Sequence, residues 1–244
     1  MIARLEIRRE MQRRAAQKRL ERLFPEQDGD YLGERMHARA GYPRHLEFFQ
    51  AGAQYRERCF MAANRVGKSV AGAYEVALHL TGLYPDWWPG RRFKSAVRIW
   101  AAGKTNETTR DIVQSVLLGE ITGGGATKGV SGTGMVPGRL LGRLSWKQGV
   151  PDLVDTVQVK HSSGRWSRLG LKSYQQGRGS FEGTAQHAIW LDEEPPLDVY
   201  GECLIRTATT GGLVMLTFTP LEGMSEVVLQ FLPGSDPGAS ERAA

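Results

Sequence analysis

Met61 to Ala71 read Met-Ala-Ala-Asn-Arg-Val-Gly-Lys-Ser-Val-Ala. A glycine followed by a lysine and a hydroxyl residue is suited to phosphate. In such a loop the backbone N–H groups and the N-terminus of the next helix point at phosphate oxygens. Lys68 would reach the terminal phosphates of a nucleotide, and the Ser69 hydroxyl would sit on Mg2+. The flanks supply the context that this chemistry needs. Cys59-Phe60-Met61-Ala62 is apolar enough for a buried strand, and Val70 to Leu78 is a good helix. The cradle is then Ala63, Asn64, Arg65, Val66, Gly67, Lys68, Ser69 and Val70. The usual pattern opens with glycine five residues before the second glycine. Here Ala62 holds that place, which an alanine can do if its φ is negative.

A second motif lies at Ala188 to Pro196, Ala-Ile-Trp-Leu-Asp-Glu-Glu-Pro-Pro. The apolar run has strand length and ends in Asp192-Glu193. ATPases with an extra catalytic carboxylate need this pair. The Asp holds Mg2+, usually through water, and the Glu polarises the attacking water. Both are expected at the end of a buried strand, next to the strand that feeds the phosphate loop. A third apolar run, Leu213 to Phe218, ends in Thr219-Pro220. A polar residue at that tip is placed to touch the γ-phosphate or the water, so Thr219 is a further candidate.

These motifs, in this order and spacing, resemble the ATPase half of a tailed-phage terminase large subunit, the motor that packages DNA into procapsids. Two further stretches are similar to the family: Lys172 to Arg178, and Tyr42 to Phe49. The likeness covers residues 42 to 232. It implies ATP and Mg2+ as cofactors and double-stranded DNA as substrate. It also implies a homo-oligomeric ring, the small terminase subunit and portal protein as partners, and action in the bacterial host cytoplasm at the procapsid portal. An Arg inside the phosphate loop is typical of the family, and Arg65 matches it. The family's adenine-contacting residue, often Gln, corresponds to His45 here, with Gln50 five residues on. A ring needs an Arg from one subunit to complete the site of the next. Arg178 is the candidate, with Arg206 behind it. Whole terminases carry a nuclease after the ATPase. Beyond residue 232, where the likeness ends, the only carboxylates are Asp236 and Glu241, so no nuclease activity is expected of this chain.

The 244 residues suffice for one large domain, and 41% hydrophobic content supports a core. Cys59 and Cys203 lie in apolar surroundings and offer no disulfide framework or metal cluster. No run is long enough to span a membrane. The net charge of +6 is uneven: residues 1–23 hold eight Lys or Arg against three Glu. That segment reads as a helical appendage; tracking phosphates and docking a capsid-side partner are its alternative uses.

The expected organisation is a basic helical appendage with a linker at Phe24 to Asp30 (1–41), an ATPase domain (42–232) and a disordered tail (233–244). Strands and helices alternate after the phosphate loop. That predicts an α/β, P-loop NTPase fold with a mostly parallel central sheet flanked by helices. The aromatic-rich Thr81 to Lys94 should pack onto the core. The glycine-crowded Gly119 to Gly149, with Arg139, Arg143 and Lys147, is expected to be a flexible functional segment. Thr105 to Leu118 reads as a helix with Ile112, Val113, Val116 and Leu117 inward. Rival functions are another nucleic-acid translocase or helicase, and a truncated nucleotide-binding remnant without turnover.

Overall fold

Two strands too apolar to face water on either side, Ala188–Asp192 and Leu213–Phe218, form the centre of the molecule. A computed structural model describes residues 20, 23–31, 34–221 and 223–232, with the backbone of 242–243. A short hairpin, β1 (Gly29–Tyr31) and β2 (Glu34–Met36), precedes helix α1 (Pro43–Ala51). Strand β3 (Glu57–Met61) then feeds the phosphate loop and helix α2 (Lys68–Thr81). After β4 (Arg98–Gly103) comes helical segment α3, made of Asn106–Thr108, a π-helical Thr109–Gln114 and Ser115–Leu118. A small pair, β5 (Ile121–Thr122) and β6 (Gly129–Val130), leads to β7 (Leu141–Trp146), β8 (Val154–Lys160) and β9 (Trp166–Ser173). The chain continues through β10 (Ala188–Asp192), α4 (Leu197–Ala208), β11 (Leu213–Phe218), α5 (Glu226–Leu229) and β12 (Arg242–Ala243).

The main sheet runs β12-β3-β11-β10-β4-β9-β8-β7. Its pairs are parallel from β12 to β9 and antiparallel from β9 to β7. Strands β10 and β11 are buried along their whole length, as a sheet covered on both faces requires. The acidic strand β10 does not neighbour β3, contrary to the expectation; β11 lies between them. The reason is register. Asp192 pairs with Thr217, and Phe218 pairs with Met61. The third motif is thereby the bridge between the other two.

Helix α2 covers one face so closely that a Cβ on Gly72 would lie 2.4 Å from the Trp190 indole nitrogen. Helix α4 covers the other face through Val199, Tyr200 and Cys203. The linker expected at Phe24 begins inside the core instead. The Phe24 ring packs against Tyr42, Phe49, Tyr74 and Trp87, and the Tyr74 hydroxyl donates to the Leu20 carbonyl at 2.9 Å. The basic segment before Leu20 lies outside the described residues. So does the tail expected to be disordered, apart from the two-residue edge strand β12.

Thr81 to Lys94 packs as expected, with Trp88 buried and its indole N–H on the Arg91 carbonyl. Gly119 to Gly149 holds short strands and tight crossings. A Cβ on Gly132 would lie 2.1 Å from the Gly138 Cα, so glycine there serves close backbone approach. In α3 the π-helical turn shifts the helical phase. Val113 and Leu117 stay buried while Ile112 turns outward, contrary to the expected apolar side. Among the described residues no helix is long and apolar enough to cross a membrane.

The elements that bracket the phosphate loop are tied beneath it by a buried charge cluster. Arg58 of β3 pairs with Glu75 of α2, and His79 Nε2 meets the same carboxylate at 3.0 Å; all three side chains are fully buried. Burial pushes the Glu75 carboxyl up, but Arg58 and His79 outweigh it and hold it below its ordinary value. Burial lowers His79, against the pull of Glu75. A neutral ring with its proton on Nε2 then donates to Glu75 and accepts from the Tyr84 hydroxyl at 2.9 Å. Glu75→Leu strands the Arg58 charge, and should lower the unfolding free energy by about 3–5 kcal/mol. The double variant Arg58→Met, Glu75→Leu should recover most of the loss. Urea unfolding of the three proteins decides; an unchanged Glu75→Leu midpoint would show that the pair contributes nothing.

Candidate functional site

The phosphate loop is a tight bend that only some residues tolerate. Gly67 caps α2 with φ of +84°, and Arg65 holds φ of +62°, where a residue with a Cβ is strained. Ala62 keeps a φ outside the left-handed region, so the missing first glycine is no obstacle. Glu193 has φ of +66°. Of the three non-glycine residues in this region among the described residues, two thus stand at one site.

Lys68 is folded back onto its own loop. Its Nζ donates to the carbonyls of Ala62 at 2.9 Å and Ala63 at 2.6 Å, and to Thr219 Oγ1 at 2.9 Å. Burial lowers the ammonium's pKa, with Asp192 opposing. Thr219 Oγ1 also lies 2.8 Å from Asn64 Oδ1 and 2.9 Å from the Ala62 carbonyl. The tip of β11 is therefore joined to the phosphate loop and its lysine through one hydroxyl.

Asp192 is 4% exposed, and its carboxylate is held by hydroxyls. Ser69 Oγ donates to it at 2.8 Å, and Thr217 Oγ1 donates at 2.7 Å. The Trp190 indole N–H donates to Thr217 Oγ1 at 2.7 Å. An indole N–H can only donate, so it occupies an acceptor site of the threonine and turns the hydroxyl proton toward Asp192. Burial raises the Asp192 pKa to about 6, against the lowering effect of Thr217 and Ser69. The Asp192–Glu193 backbone is pinned as well. Tyr174 Oη donates to the Asp192 and Glu193 carbonyls at 2.9 and 3.1 Å, and the Glu193 N–H donates to the Thr217 carbonyl at 3.0 Å.

These groups face one cavity of about 1040 Å³. Asn64, Arg65, Gly67, Lys68, Ser69 and Val70 line it from the loop, and Asp192, Glu193 and Thr219 from the strand ends. Ile112, turned out by the π-helical stretch, lines it too. Other anticipated residues stand elsewhere. His45 is buried against the backbone of Val66 and Gly67, and burial lowers its pKa; it does not line the cavity. Gln50 is exposed on α1 and does not line it either. Arg178 is half exposed and bound in its own chain to the buried Glu202, at 3.0 Å. Arg206 pairs with the same carboxylate at 3.0 Å. Thr217, Lys104 and Gln175 line the cavity without having been anticipated. Thr217 had one signal, a hydroxyl inside a run of apolar strand residues.

Metal-free protein should reveal the strain on Asp192. Its folded pKa is raised above the ordinary 3.8, so the folded state binds this proton more tightly than the unfolded chain does. The penalty of the buried charge is full above about pH 6 and vanishes below 3.8. Asp192→Asn should therefore raise the Tm in EDTA at about pH 8 and lose that gain as pH falls through this window. Thermal melts across pH test it. No gain, or a gain independent of pH, would count against a costly buried charge.

Comparison with known proteins gives the family of the chain. Residues 59–241 match the family model for the N-terminal part of the terminase large subunit, T4likevirus-type. The chain is 41% identical over 222 residues to the terminase large subunit of Salmonella phage P22, covering 83% of this chain and 43% of that protein. It thus spans less than half of that relative's length. Among solved structures it is similar to a large terminase ATPase domain mutant of Thermus phage P74-26, with a TM-score of 0.50 and 14% identity. That match covers 75% of this chain and 68% of the other. The chain belongs to the terminase large subunit family and matches its N-terminal part.

Proposed function

We propose that this chain is an ATP-hydrolysing motor domain that drives double-stranded DNA into a procapsid. The observation that carries the reading is the convergence of Lys68, Ser69, Asp192, Glu193 and Thr219 on one cavity. Phosphoryl transfer demands little covalent work of a protein, so positioning and charge do most of it. Lys68 leaves its carbonyl cradle for the phosphates of ATP. Arg65, at the mouth of the loop with its side chain exposed, neutralises charge on the γ-phosphate. Glu193 orients the attacking water. Thr219, shared between Lys68 and Asn64, passes the state of the phosphate to β11.

Ser69 and Asp192 would hold Mg2+, which when bound neutralises phosphate charge. The residues suit it: an oxygen pair 2.8 Å apart, one of them a carboxylate buried at a cost that a cation relieves. Arg178 does not reach its own cavity, which accords with a role at a neighbour's site in a ring. It would exchange Glu202 for the phosphate of the next subunit. The adenine contact falls to His45 or Gln50 only if the loop or α1 shifts. The small terminase subunit, the portal protein and the host cytoplasm follow from the same reading. The family match favours it over a helicase or an inert remnant.

Steady-state Mg-ATP hydrolysis tests the assignment. Lys68→Ala and Glu193→Gln should each lower turnover by about 100-fold or more, and duplex DNA should stimulate the parent. Glu193→Gln with parental turnover would remove the assigned base. Arg178→Ala and Glu193→Gln should each be inactive alone and regain partial turnover when mixed, because mixed rings contain intact interfaces. Absence of recovery would remove Arg178 from the role in trans.

A further inference from the structure

Among the described residues, no helix packs on the β7, β8 and β9 end of the sheet face that α4 covers at its centre. Val157, Val159 and Leu169 of β8 and β9 are buried on the α2 side. Of their alternate neighbours on the opposite side, beyond α4, Gln158 and Arg168 are exposed. Strand register lines these residues up in a row. Arg98 of β4 pairs with Arg168 of β9, and Arg168 pairs with Gln158 of β8. On β7 the register slips between Leu141 and Leu144, so Gly142 and Arg143 together oppose Gln158. Arg98, Arg143, Gln158 and Arg168 are all exposed. At about 4.8 Å per strand the row crosses about 14 Å. To one side lies an exposed hydroxyl pair, Ser145 and Thr156, 2.8 Å apart. To the other, Lys160 sits 4.8 Å over the ring of Trp166, which is 48% exposed.

The charge of this face is one-sided. Among β4, β7, β8 and β9 the only carboxylate is Asp155, against Arg98, Arg143, Lys160, Arg168 and Lys172. Asp155 acts on Lys147 and Lys172, away from the row. Arg98, Arg143 and Arg168 have no ion pair among the described residues. Arginines side by side on one sheet face repel each other, and no carboxylate among the described residues pairs with these three. Guanidinium and ammonium groups only donate hydrogen bonds. The missing partner is therefore an extended, acceptor-rich anion. Arg, Lys, Ser, Thr and Gln are the side chains that contact nucleic-acid phosphates and fix register without reading sequence.

We propose that this open face of β4, β9, β8 and β7 grips the phosphodiester backbone of duplex DNA. The proposal rests on the motor reading for its choice of polyanion. None of Arg98, Arg143 and Arg168 lines the nucleotide cavity, so the two functions can be separated.

The test is anisotropy of a labelled random-sequence duplex with the full chain over a salt series. The variant is Arg98→Gln, Arg143→Gln, Arg168→Gln. Binding should weaken at least tenfold, and the slope of log affinity against log salt should fall by about 2 to 3, near 0.9 per lost phosphate contact. The Tm should stay equal or rise as repulsion is removed, and affinity for a fluorescent ATP analogue should be unchanged, which shows that the variant folds. Parental affinity and slope in the variant would overturn the proposal. So would loss of binding confined to an Arg4, Arg8, Arg9→Gln variant, displacement of the duplex by polyglutamate at equal charge, or a parent that binds no duplex at low salt. ATP turnover, measured separately, decides the motor reading in each case.

Discussion

A carboxylate does not stay ionised in an apolar interior unless donors or a cation hold it. That constraint on Asp192 organises the centre of this protein. Ser69 brings the start of α2 to it, and Thr217 brings β11. The Trp190 indole orients Thr217 and at the same time forms the floor on which Gly72 of α2 rests. The phosphate loop, the acidic strand and the third motif are thus tied to one buried oxygen pair. Any change in how that carboxylate is satisfied reaches all three elements.

Charge is managed in the same way on both sides of the sheet. Under the phosphate loop, Glu75 is held by Arg58 and His79, which fastens β3 to α2. On the other side, Glu202 of α4 is held by Arg178 and Arg206. The two clusters differ in access. Arg58 is fully buried and cannot leave without stranding a charge, whereas Arg178 is 52% exposed and has water to turn to. The first is suited to fixing a geometry and the second to exchanging partners. The lysine of the loop belongs with the second kind. Its carbonyl and hydroxyl partners are weaker acceptors than phosphate, so a nucleotide can draw it out.

The distribution of strain follows the same line. Arg65 and Glu193 both sit in the left-handed region and both face the cavity, and α3 presents its π-helical turn there. Local distortion is concentrated where groups must converge. The antiparallel extension pairs regularly between β8 and β9, slips register twice between β7 and β8, and carries its charged row on exposed positions.

The elements that carry the candidate site, and the residues at their ends, were legible from short stretches of sequence. Gly67-Lys68-Ser69 after an apolar strand, Asp192-Glu193 at the end of another, and Thr219 at the tip of a third each depend on neighbours a few residues away. The alternation of strands and helices gave the layered architecture for the same reason. What the tertiary structure decided involves pairs far apart in sequence. β11 lies between β3 and β10 because of a register linking Met61 to Phe218 and Thr217 to Asp192. That register makes Thr217 the holder of Asp192, a role that no local pattern distinguishes from an ordinary strand threonine. Phe24 entered the core through rings up to 63 residues away, at Trp87, although its own neighbours read as a linker. Ile112 turned outward because a π-helical turn breaks the period on which its assignment rested. The arginine row exists only when four strands are set side by side. A sequence fixes which groups a short segment carries; packing and register, summed over the whole chain, decide which of them meet.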